Sequence, residues 1–526
     1  MSTTLFYNGV FHSGLSKEDV FSCMTVKKGI ITGVFSSRPS GRFAREIDLQ
    51  GAHVYPCFID THIHMLFTIA VMAMGFDVCH ITSNGVSPCT LAGVEKVIRQ
   101  YTASKPADAV IAANNYILSA MDCRRLPTRQ ELDEWAGGRA IVIYNIDGHS
   151  TALSSAMLKK IGIDPEGHSG VLTGEENERA QGRLTDAISG SITLPILAKG
   201  IANFQNACAA YGISVVGALE GNGDSPKDLT TALLVHLAKY FEVGVRFYFQ
   251  YFSIDRAKKL SKHQRRPRIG GCGDWETDGS VSSRSAAFPY PYLDTSSPAP
   301  CYYSDSVLEE NILRADAAGY QIASHAIGES AIRQLSAALN KTSGKTLHRI
   351  EHCEFISEDT LASLDPAKYA VTMQPGYAWI DRHYLHSYEQ ALPCSVLENL
   401  KLKSIYEKML LCGSSDSPVQ AMDPFLQMLG MTDFYAPAES LGIFEAFRTY
   451  TLNPAQVLGE ASERGTLEVG KMADFFTASQ DLFSLSGPEI AAFRPESTYF
   501  GGKKYISKSG SVAELLLSLL RRPRKV

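Results

Sequence analysis

The chain has 526 residues, of which 45% are hydrophobic and 20% charged, so it can bury a large core without disulfides. Its 50 Lys and Arg against 55 Asp and Glu give a net charge of −5. That imbalance is too mild to favour nucleic acid or an anionic membrane surface as a partner. Eleven scattered cysteines without a Cys-x-x-Cys pair argue against a disulfide framework and favour reduced thiols.

The N-terminal stretch MSTTLFYNGVFHSG lacks the basic segment and following apolar run that mark a secretory signal. No apolar run reaches the roughly 18 residues that a membrane span requires. These two observations, together with the cysteine usage, predict a cytoplasmic protein without a membrane partner.

The first fifty residues are predicted to form β-structure, because short apolar runs such as TLFYNGVF and CMTVKKGIITGVF alternate with Gly, Ser and Lys. Between residues 90 and 210, helical segments such as VEKVIRQYTASK accompany the buried strand AIVIYNID. The polar, glycine-rich stretch 162–183 is predicted to be a long loop.

Beyond residue 210 the pattern changes to strands alternating with helices. The strands are GISVVGALE, VRFYFQYF, QIASHAIG, LHRIEHCEF, YAVTMQPGY and KMLLCGSSDSPV. This alternation indicates a parallel sheet or barrel. Several of these strands end in polar residues, which favours an α/β fold of the (β/α)8 TIM-barrel type with its chemistry at the strand C-termini.

The motif FIDTHIHML places candidate metal ligands on one strand. Alternate residues of a strand share a face, so Asp60, His62 and His64 are predicted to point the same way. Two imidazoles at this spacing can bind one metal ion. By itself the His-x-His motif also fits two incidental strand histidines.

Three further strand ends carry metal-binding side chains. His325 closes QIASHAIG, His352 closes LHRIEHCE, and Asp416 closes KMLLCGSSD. A barrel brings the ends of its strands to one mouth, so these side chains are predicted to converge with those of the His-x-His motif. Each of them alone fits an ordinary half-buried polar residue, whereas the ordered set favours a site.

The order His-x-His, His, His, Asp resembles that of the amidohydrolase superfamily. The local sequence around these residues resembles its YtcJ-like branch, amidohydrolase family 3. The matching stretches lie between residues 51 and 477. They are GAHVYPCFIDTHIHM, LPTRQELDEW, YNIDGHSTALSSAML, TDGSVSSRSAAF, SHAIGESAI, RIEHCE, GSSDSPV, YTLNPAQVLG and RGTLEVGKMADFF. These motifs are specific for the superfamily and say little about the substrate.

The resemblance implies a domain plan around the barrel, which we place at residues 57–455. It adds a small β-sandwich built from both chain ends, residues 1–56 and 456–526. It also implies an inserted α/β subdomain at about 75–205, which overhangs the barrel mouth.

The resemblance also implies roles for the strand-end residues. His62, His64, His325 and His352 match the metal ligands of the family, and Asp416 matches an aspartate that both contacts the metal and carries the proton of the attacking water. A carboxylate within hydrogen-bond reach can pass such a proton to a leaving nitrogen. Imidazole and carboxylate ligands suit several divalent metals, and Zn2+ is our expectation.

Three residues outside the metal set are predicted to contact the substrate. His149, in DGHS, resembles a family histidine that contacts substrate or stabilises an oxyanion, although it also fits a loop-capping role. Asp278 and Arg284, in TDGSVSSR, are expected to shape the same pocket, and Asp278 equally fits the cap of a turn. Glu351 is predicted on the opposite face from His352, behind the ligands.

The sequence departs from the family just before the TDGS motif. Many relatives carry there a carbamylated lysine that bridges two metal ions, whereas this chain reads RIGGCGDWETDGS. One reading is a site with one metal ion, which we favour. The other is that Asp274, Cys272 or Glu220 replaces the lysine as a ligand.

The function that these residues predict is hydrolysis of an amide, N-acyl or related C–N bond of a small molecule by metal-activated water. A deaminase or an esterase would use the same residues, and a lyase or isomerase would use the metal as a Lewis acid. A barrel that serves only as a binding module should have lost metal ligands, yet all five are present. A homodimer is a possible assembly.

Overall fold

The computed structural model describes residues 3–82, 85–221, 228–262 and 264–523. Its centre is an eight-stranded parallel sheet that curls into a nearly closed barrel, which confirms the predicted fold class. In chain order, the barrel strands are Phe58–Ile63, Ile213–Glu220, Gly244–Phe249, Arg268–Glu276, Gln321–Ala326, His348–His352, Tyr369–Met373 and Leu411–Gly413.

The barrel strands are buried on both faces, which is why the sequence shows them as nearly continuous apolar runs. Every residue of the first and second strands is buried. The barrel closes just beyond the last strand, where Asp416 N donates to His62 O (2.9 Å) and His64 N donates to Ser417 O (2.8 Å). The loop that carries Asp416 is thereby fixed against the strand that carries the His-x-His motif.

Helices cover the outside of the barrel and the insert. They are Met65–Met74, Leu91–Thr102, Arg129–Trp135, Ser155–Lys160, Gly174–Ser189, Leu194–Ala210, Leu229–Ala238, Ile254–Ser261, Asp305–Ala317, Glu329–Leu339, Glu358–Ser363, Pro375–Ile380, Ser387–Ala391, Cys394–Leu397, Leu402–Lys408, Pro424–Thr432, Ile443–Arg448, Leu452–Val457, Pro488–Ala492 and Val512–Ser518. In the described ranges no single helix is long and apolar enough to cross a membrane. The helices Gly174–Ser189 and Leu194–Ala210 reach that length and apolarity only when they are taken together, and the pair is bent by 114°.

Two further sheets lie at the ends of the chain: one is built from N-terminal strands alone, and the other combines strands from both ends. The four-stranded sheet has the order Ile30–Phe35, Cys23–Lys27, Thr4–Tyr7, Arg45–Asp48. The six-stranded sheet has the order Lys503–Lys504, Ser497–Phe500, Phe475–Ala478, His53–Pro56, Val10–His12, Val20–Phe21. Apolar side chains of both sheets, including Phe6, Phe475 and Tyr499, share one core, so burial of these aromatic rings holds the two sheets together.

The segment between the first two barrel strands forms its own sheet. It has the order Val171–Thr173, Ser150–Leu153, Ala140–Asn145, Val110–Tyr116, Phe76–Asp77. A separate two-stranded ribbon pairs His80–Thr82 with Gly85–Ser87. The capping box at Thr128 and Glu131 starts the helix of the LPTRQELDEW motif.

The prediction of a loop over 162–183 is wrong. This stretch contains the strand Val171–Thr173 and most of the helix Gly174–Ser189. The helix buries only a narrow stripe, with Asn177 and Ala180 at its start and Leu184 further along. Because most of its other residues are polar, the sequence shows no clear helical spacing of apolar residues. This helix carries Glu178 to the barrel mouth.

Candidate metal centre

The predicted ligands meet at the C-terminal mouth of the barrel, around a cavity of about 400 Å³. Of the residues singled out in the sequence, the described lining contains His64, His149, Glu220, Cys272, Asp274, His325, His352 and Asp416. His62 lies buried directly behind this surface. The predicted insert supplies His149, which reaches over the mouth.

One group of ligands surrounds the carboxylate of Asp416. Its Oδ1 lies 3.1 Å from His62 Nε2 and 3.2 Å from His64 Nε2. His64 sits one residue beyond the strand, at the start of the helix Met65–Met74. Asp60, the third residue on that face, instead accepts hydrogen bonds from Ser415 N (3.1 Å) and Ser415 Oγ (2.6 Å) and so fixes the Asp416 loop.

The backbone at this group is held in an uncommon conformation. Asp416 has φ 58° and His352 has φ 69°, in the left-handed region that costs a non-glycine residue about 1–3 kcal/mol. The surrounding contacts therefore impose these conformations. Burial alone would raise the pKa of Asp416, but the imidazoles of His62 and His64 outweigh it and hold that pKa well below its usual range.

Hydrogen bonds behind the site fix which imidazole nitrogen faces it. His62 Nδ1 donates to Glu351 Oε2 (2.7 Å), and His352 Nδ1 donates to Gln374 Oε1 (2.8 Å). In its neutral form, each ring therefore presents an unprotonated Nε2 to the site. Carboxylates and amides orient metal-ligating histidines in this way. Glu351 lies behind the ligands, where the sequence predicts it, and accepts a hydrogen bond from Arg349 Nε (2.6 Å).

Three buried atoms at this point have no hydrogen-bond partner among the described residues: His62 Nε2, His352 Nε2 and Asp416 Oδ1. One ligand atom of each of these three residues lies within 4.8 Å of those of the other two. Two bare imidazole nitrogens and a carboxylate oxygen are a typical ligand set for a divalent transition metal. The residues present therefore fit the metal that the sequence implies.

Cys272 belongs to the same neighbourhood. Its Sγ lies 3.8 Å from His64 Nε2, and a group of His62, His64 and Cys272 also falls within 4.8 Å. Burial raises the pKa of the Cys272 thiol well above its ordinary value. Of Asp274, Cys272 and Glu220, the three predicted replacements for the lysine, Cys272 is the one grouped with His62 and His64.

A second group of ligands lies deeper along the fourth and fifth barrel strands. Glu276 Oε1 is 3.5 Å from His149 Nδ1 and 3.9 Å from His325 Nδ1. Burial and the neighbouring Glu178 carboxylate raise the pKa of Glu276, whereas burial and the imidazoles of His352 and His149 lower that of His325. Glu276 is not among the residues predicted from the sequence, although it ends a strand immediately before the TDGS motif.

A large bulge explains why alignment along the sequence pointed to Asp274. Gly271 pairs with Ser324, but the next pair is Glu276 with His325, so four residues loop out of the ladder. Asp274 sits on this bulge and accepts from Phe252 N (2.8 Å). It lines the cavity without joining either of these groups within 4.8 Å, and its role as a metal ligand stays a prediction.

Glu220 ends the second barrel strand and lines the cavity at the mouth. Its Oε1 accepts from Leu66 N (3.0 Å), at the N-terminus of the helix that begins at Met65. A carboxylate there satisfies free backbone N–H groups and the positive end of the helix dipole. Burial raises the pKa of Glu220 to about 8. The side chain holds the helix that follows His64, and its role as a metal ligand stays a prediction.

Asp278 and Arg284 lie outside the described lining of the cavity, and their substrate contacts stay a prediction. Asp278 is fully buried and accepts from three backbone amides, those of Ala287 (2.8 Å), Ile327 (2.9 Å) and Gly328 (2.8 Å). Arg284 pairs with Asp294 (2.9 Å) on the outer side of its loop. Both residues organise the loop after the fourth strand.

Asp147 joins the insert to that loop, a role that the sequence analysis missed. Its Oδ1 accepts from His149 N (3.1 Å), and its Oδ2 accepts from Ser280 Oγ (2.7 Å) and Ser283 Oγ (2.6 Å). The DGHS turn and the TDGSVSS segment are therefore one hydrogen-bonded unit, and this unit sets the position of His149 over the cavity.

Comparison with known proteins agrees with this fold. YtcJ of Bacillus subtilis is 22% identical over 540 residues, covering 96% of this chain and 99% of YtcJ. The N-substituted formamide deformylase of Arthrobacter pascens is 24% identical over 519 residues, covering 89% of this chain and 91% of that protein. A metal-dependent hydrolase from Pyrococcus horikoshii shares the fold, with a TM-score of 0.71 at 19% identity over 92% of this chain and 99% of that one. The sequence model of the amidohydrolase family matches residues 45–505, and the chain therefore belongs to the amidohydrolase family.

Proposed function

We propose that the protein is a metal-dependent hydrolase that cleaves the amide bond of a small N-acyl amine. The observation that carries this proposal is the convergence of His62 Nε2, His352 Nε2 and Asp416 Oδ1, three buried atoms without a hydrogen-bond partner in the described structure. A divalent cation, zinc by preference for this ligand set, supplies Lewis acidity that activates water and polarises a carbonyl group.

Asp416 is the group placed to move the proton. It stands at the cavity surface between the two histidines of the His-x-His motif. A carboxylate there accepts a proton from the attacking water and returns it to the departing nitrogen. An amine needs this proton because it leaves poorly as an anion.

The charge of the cavity limits the substrate. Arg179 is the only lysine or arginine in the described lining, and its guanidinium is already paired with Glu175. The acidic residues of the same lining are Asp147, Glu175, Glu178, Asp186, Glu220, Asp228, Asp274, Glu276 and Asp416. Proteins recognise a free carboxylate with arginine or lysine, so this wall favours an uncharged or cationic amine over an amino acid.

The size of an adjoining chamber suggests a short acyl group. A space of about 40 Å³ opens beside His352 and Asp416 and is also lined by Glu354, Tyr377 and Tyr388. One water needs roughly 10–15 Å³ by this measure, so a formyl or acetyl group fits and a long chain does not. In this orientation of the substrate, the acyl group occupies the small space and the amine part occupies the larger cavity. The name of the Arthrobacter pascens relative, a deformylase of N-substituted formamides, agrees with a short acyl group.

A matched pair of substrates tests the charge argument. N-formyl-2-phenylethylamine and N-formylphenylalanine differ only by a carboxylate. We expect kcat/KM for the first to exceed that for the second by at least about 10-fold, which corresponds to about 1.4 kcal/mol of repulsion. Asp186→Lys, at the cavity wall, should narrow the preference, whereas Asp164→Lys, exposed elsewhere on the insert, should leave it unchanged. A preference for the carboxylate substrate would contradict the proposal.

A series of acyl chains on one amine tests the chamber. Formyl, acetyl, butyryl and hexanoyl derivatives of 2-phenylethylamine keep the amine side constant. We expect kcat/KM to fall by at least about 10-fold between acetyl and hexanoyl, because the longer chain must displace packed side chains. Equal rates for the two would place the acyl group elsewhere.

A further inference from the structure

Three metal-binding side chains meet at the six-stranded sheet that combines strands from both chain ends. His12 ends the strand Val10–His12, His53 begins the strand His53–Pro56, and Asp481 precedes the short helix Leu482–Ser484. One ligand atom of each lies within 4.8 Å of those of the other two. None of the three belongs to the described lining of the cavity at the barrel mouth, so this group is separate from the candidate catalytic centre.

His12 is the buried member of the group, 4% exposed, and its ring stacks on that of Tyr55 with centroids 4.5 Å apart. Burial outweighs the attraction of the Asp481 carboxylate and lowers the pKa of His12 to about 4, so the ring is neutral at pH 7. Its Nδ1 has no hydrogen-bond partner in the described ranges, so no contact on that side fixes which nitrogen carries the proton. The ring can therefore offer a lone pair at Nε2.

The Nε2 atom of His12 faces both other ligands. It lies 3.0 Å from His53 Nδ1 and 3.8 Å from Asp481 Oδ1. One shared proton can satisfy the two ring nitrogens, but 3.8 Å is too long for a hydrogen bond to the carboxylate. Among the described ion pairs, His12 is the only basic residue beside Asp481, and its neutral ring does not balance the negative charge. A cation between the three atoms would balance it.

The carboxylate of Asp481 is held in position by hydrogen bonds. Tyr55 OH donates to its Oδ1 (2.9 Å), and Phe483 N donates to the same oxygen (3.0 Å). The ring of Phe483 packs edge-on against His12, with centroids 5.2 Å apart. Hydrogen bonds of this kind orient metal ligands in proteins, so the segment that carries Asp481 is already fixed against the strand that carries His12.

We propose that His12, His53 and Asp481 bind a divalent transition metal, zinc for example, which joins the C-terminal segment to the N-terminal strands. Two imidazoles and a carboxylate are a ligand set that such metals accept. Two ligands of one zinc ion, each at roughly 2.0–2.2 Å, are about 3–3.6 Å apart, so the observed 3.0 and 3.8 Å require only a small movement. His53 and Asp481 are half-buried, which leaves a side open for water as the fourth ligand.

This site goes beyond the proposed function and does not depend on it. Its ion has no contact with the substrate, so it should stabilise the fold and leave kcat unchanged. Because two of its three ligands are open to water, we expect weaker binding than at the buried group around Asp416. The site should therefore fill only when Zn2+ is in excess over the catalytic centre.

The test is a count of zinc ions per chain after equilibrium dialysis against excess Zn2+, made by mass spectrometry of the metal content. We expect Asp481→Asn to bind about one ion fewer than the wild type, because asparagine keeps an oxygen for Tyr55 and Phe483 and loses the charge. The two proteins should have the same kcat. Asp164→Asn is the matched control, since Asp164 is exposed on the insert; it should bind as many ions as the wild type.

Two results would overturn the site. One is an Asp481→Asn protein that binds as many ions as the wild type. The other is the loss of one ion from Asp164→Asn as well, because the count would then not depend on these ligands. Should Asp481→Asn fail to fold, the half-buried His53 is replaced instead, and His53→Ala must bind about one ion fewer for the assignment to hold.

Discussion

Replacing Asp416 by asparagine should reduce kcat by about 10²–10⁴-fold, the usual contribution of a positioned proton carrier, while most of the bound metal remains. The amide has the shape of the carboxylate and keeps an oxygen for His62 and His64, which lie 3.1 and 3.2 Å from Asp416 Oδ1. It can no longer accept the proton of the attacking water. Turnover and metal content, measured on the same preparation, separate the two effects.

Asp294→Asn is the matched control for this variant. Asp294 pairs with Arg284 away from the cavity, so the same chemical change there should leave kcat unaltered. If Asp416→Asn kept near-normal rates at every pH, the assignment of Asp416 as proton carrier would be wrong. If it lost its metal entirely, Asp416 would be chiefly a ligand.

Replacing His62 by alanine should remove metal and activity together. His62 is fully buried, and its ring connects Glu351 on one side with Asp416 on the other. Loss of groups that merely orient a ligand already weakens metal binding by 10–100-fold, so loss of a ligand should weaken it by at least about 100-fold. The affinity for Zn2+ and the hydrolysis of an N-formyl amine are the measurements.

His236→Ala provides the comparison, because His236 is exposed on the helix Leu229–Ala238 and should bind and hydrolyse as the wild type does. A His62→Ala protein that retained both metal and activity would contradict the proposal that the residues around Asp416 bind the catalytic metal.

The parts of the site that the sequence predicts are those that depend on local order. His62 and His64 follow from one strand motif, and His325, His352 and Asp416 each end an apolar run. Once the alternation of strands and helices indicates a barrel, all five must face one mouth. No knowledge of distant contacts is needed for that step.

The remaining parts depend on contacts between distant segments. Asp278 is tied to the amides of Ala287, Ile327 and Gly328, and no local pattern distinguishes such a carboxylate from one that faces a substrate. The bulge at 272–275 shifts Asp274 out of the ladder and leaves Glu276 beside His325, a change of register that counting along the strand cannot reveal.

The central claim, hydrolysis of an N-acyl amine by a metal-loaded enzyme, is tested most directly with N-formyl-2-phenylethylamine in water enriched in oxygen-18. The metal-loaded protein should release amine and formate in equal amounts, with one oxygen-18 atom in each formate. The metal-free protein, prepared with a chelator, should release neither product. Turnover without incorporation of solvent oxygen would indicate a lyase or isomerase instead. No release of amine from any short N-acyl amine by fully metal-loaded protein would contradict the claim.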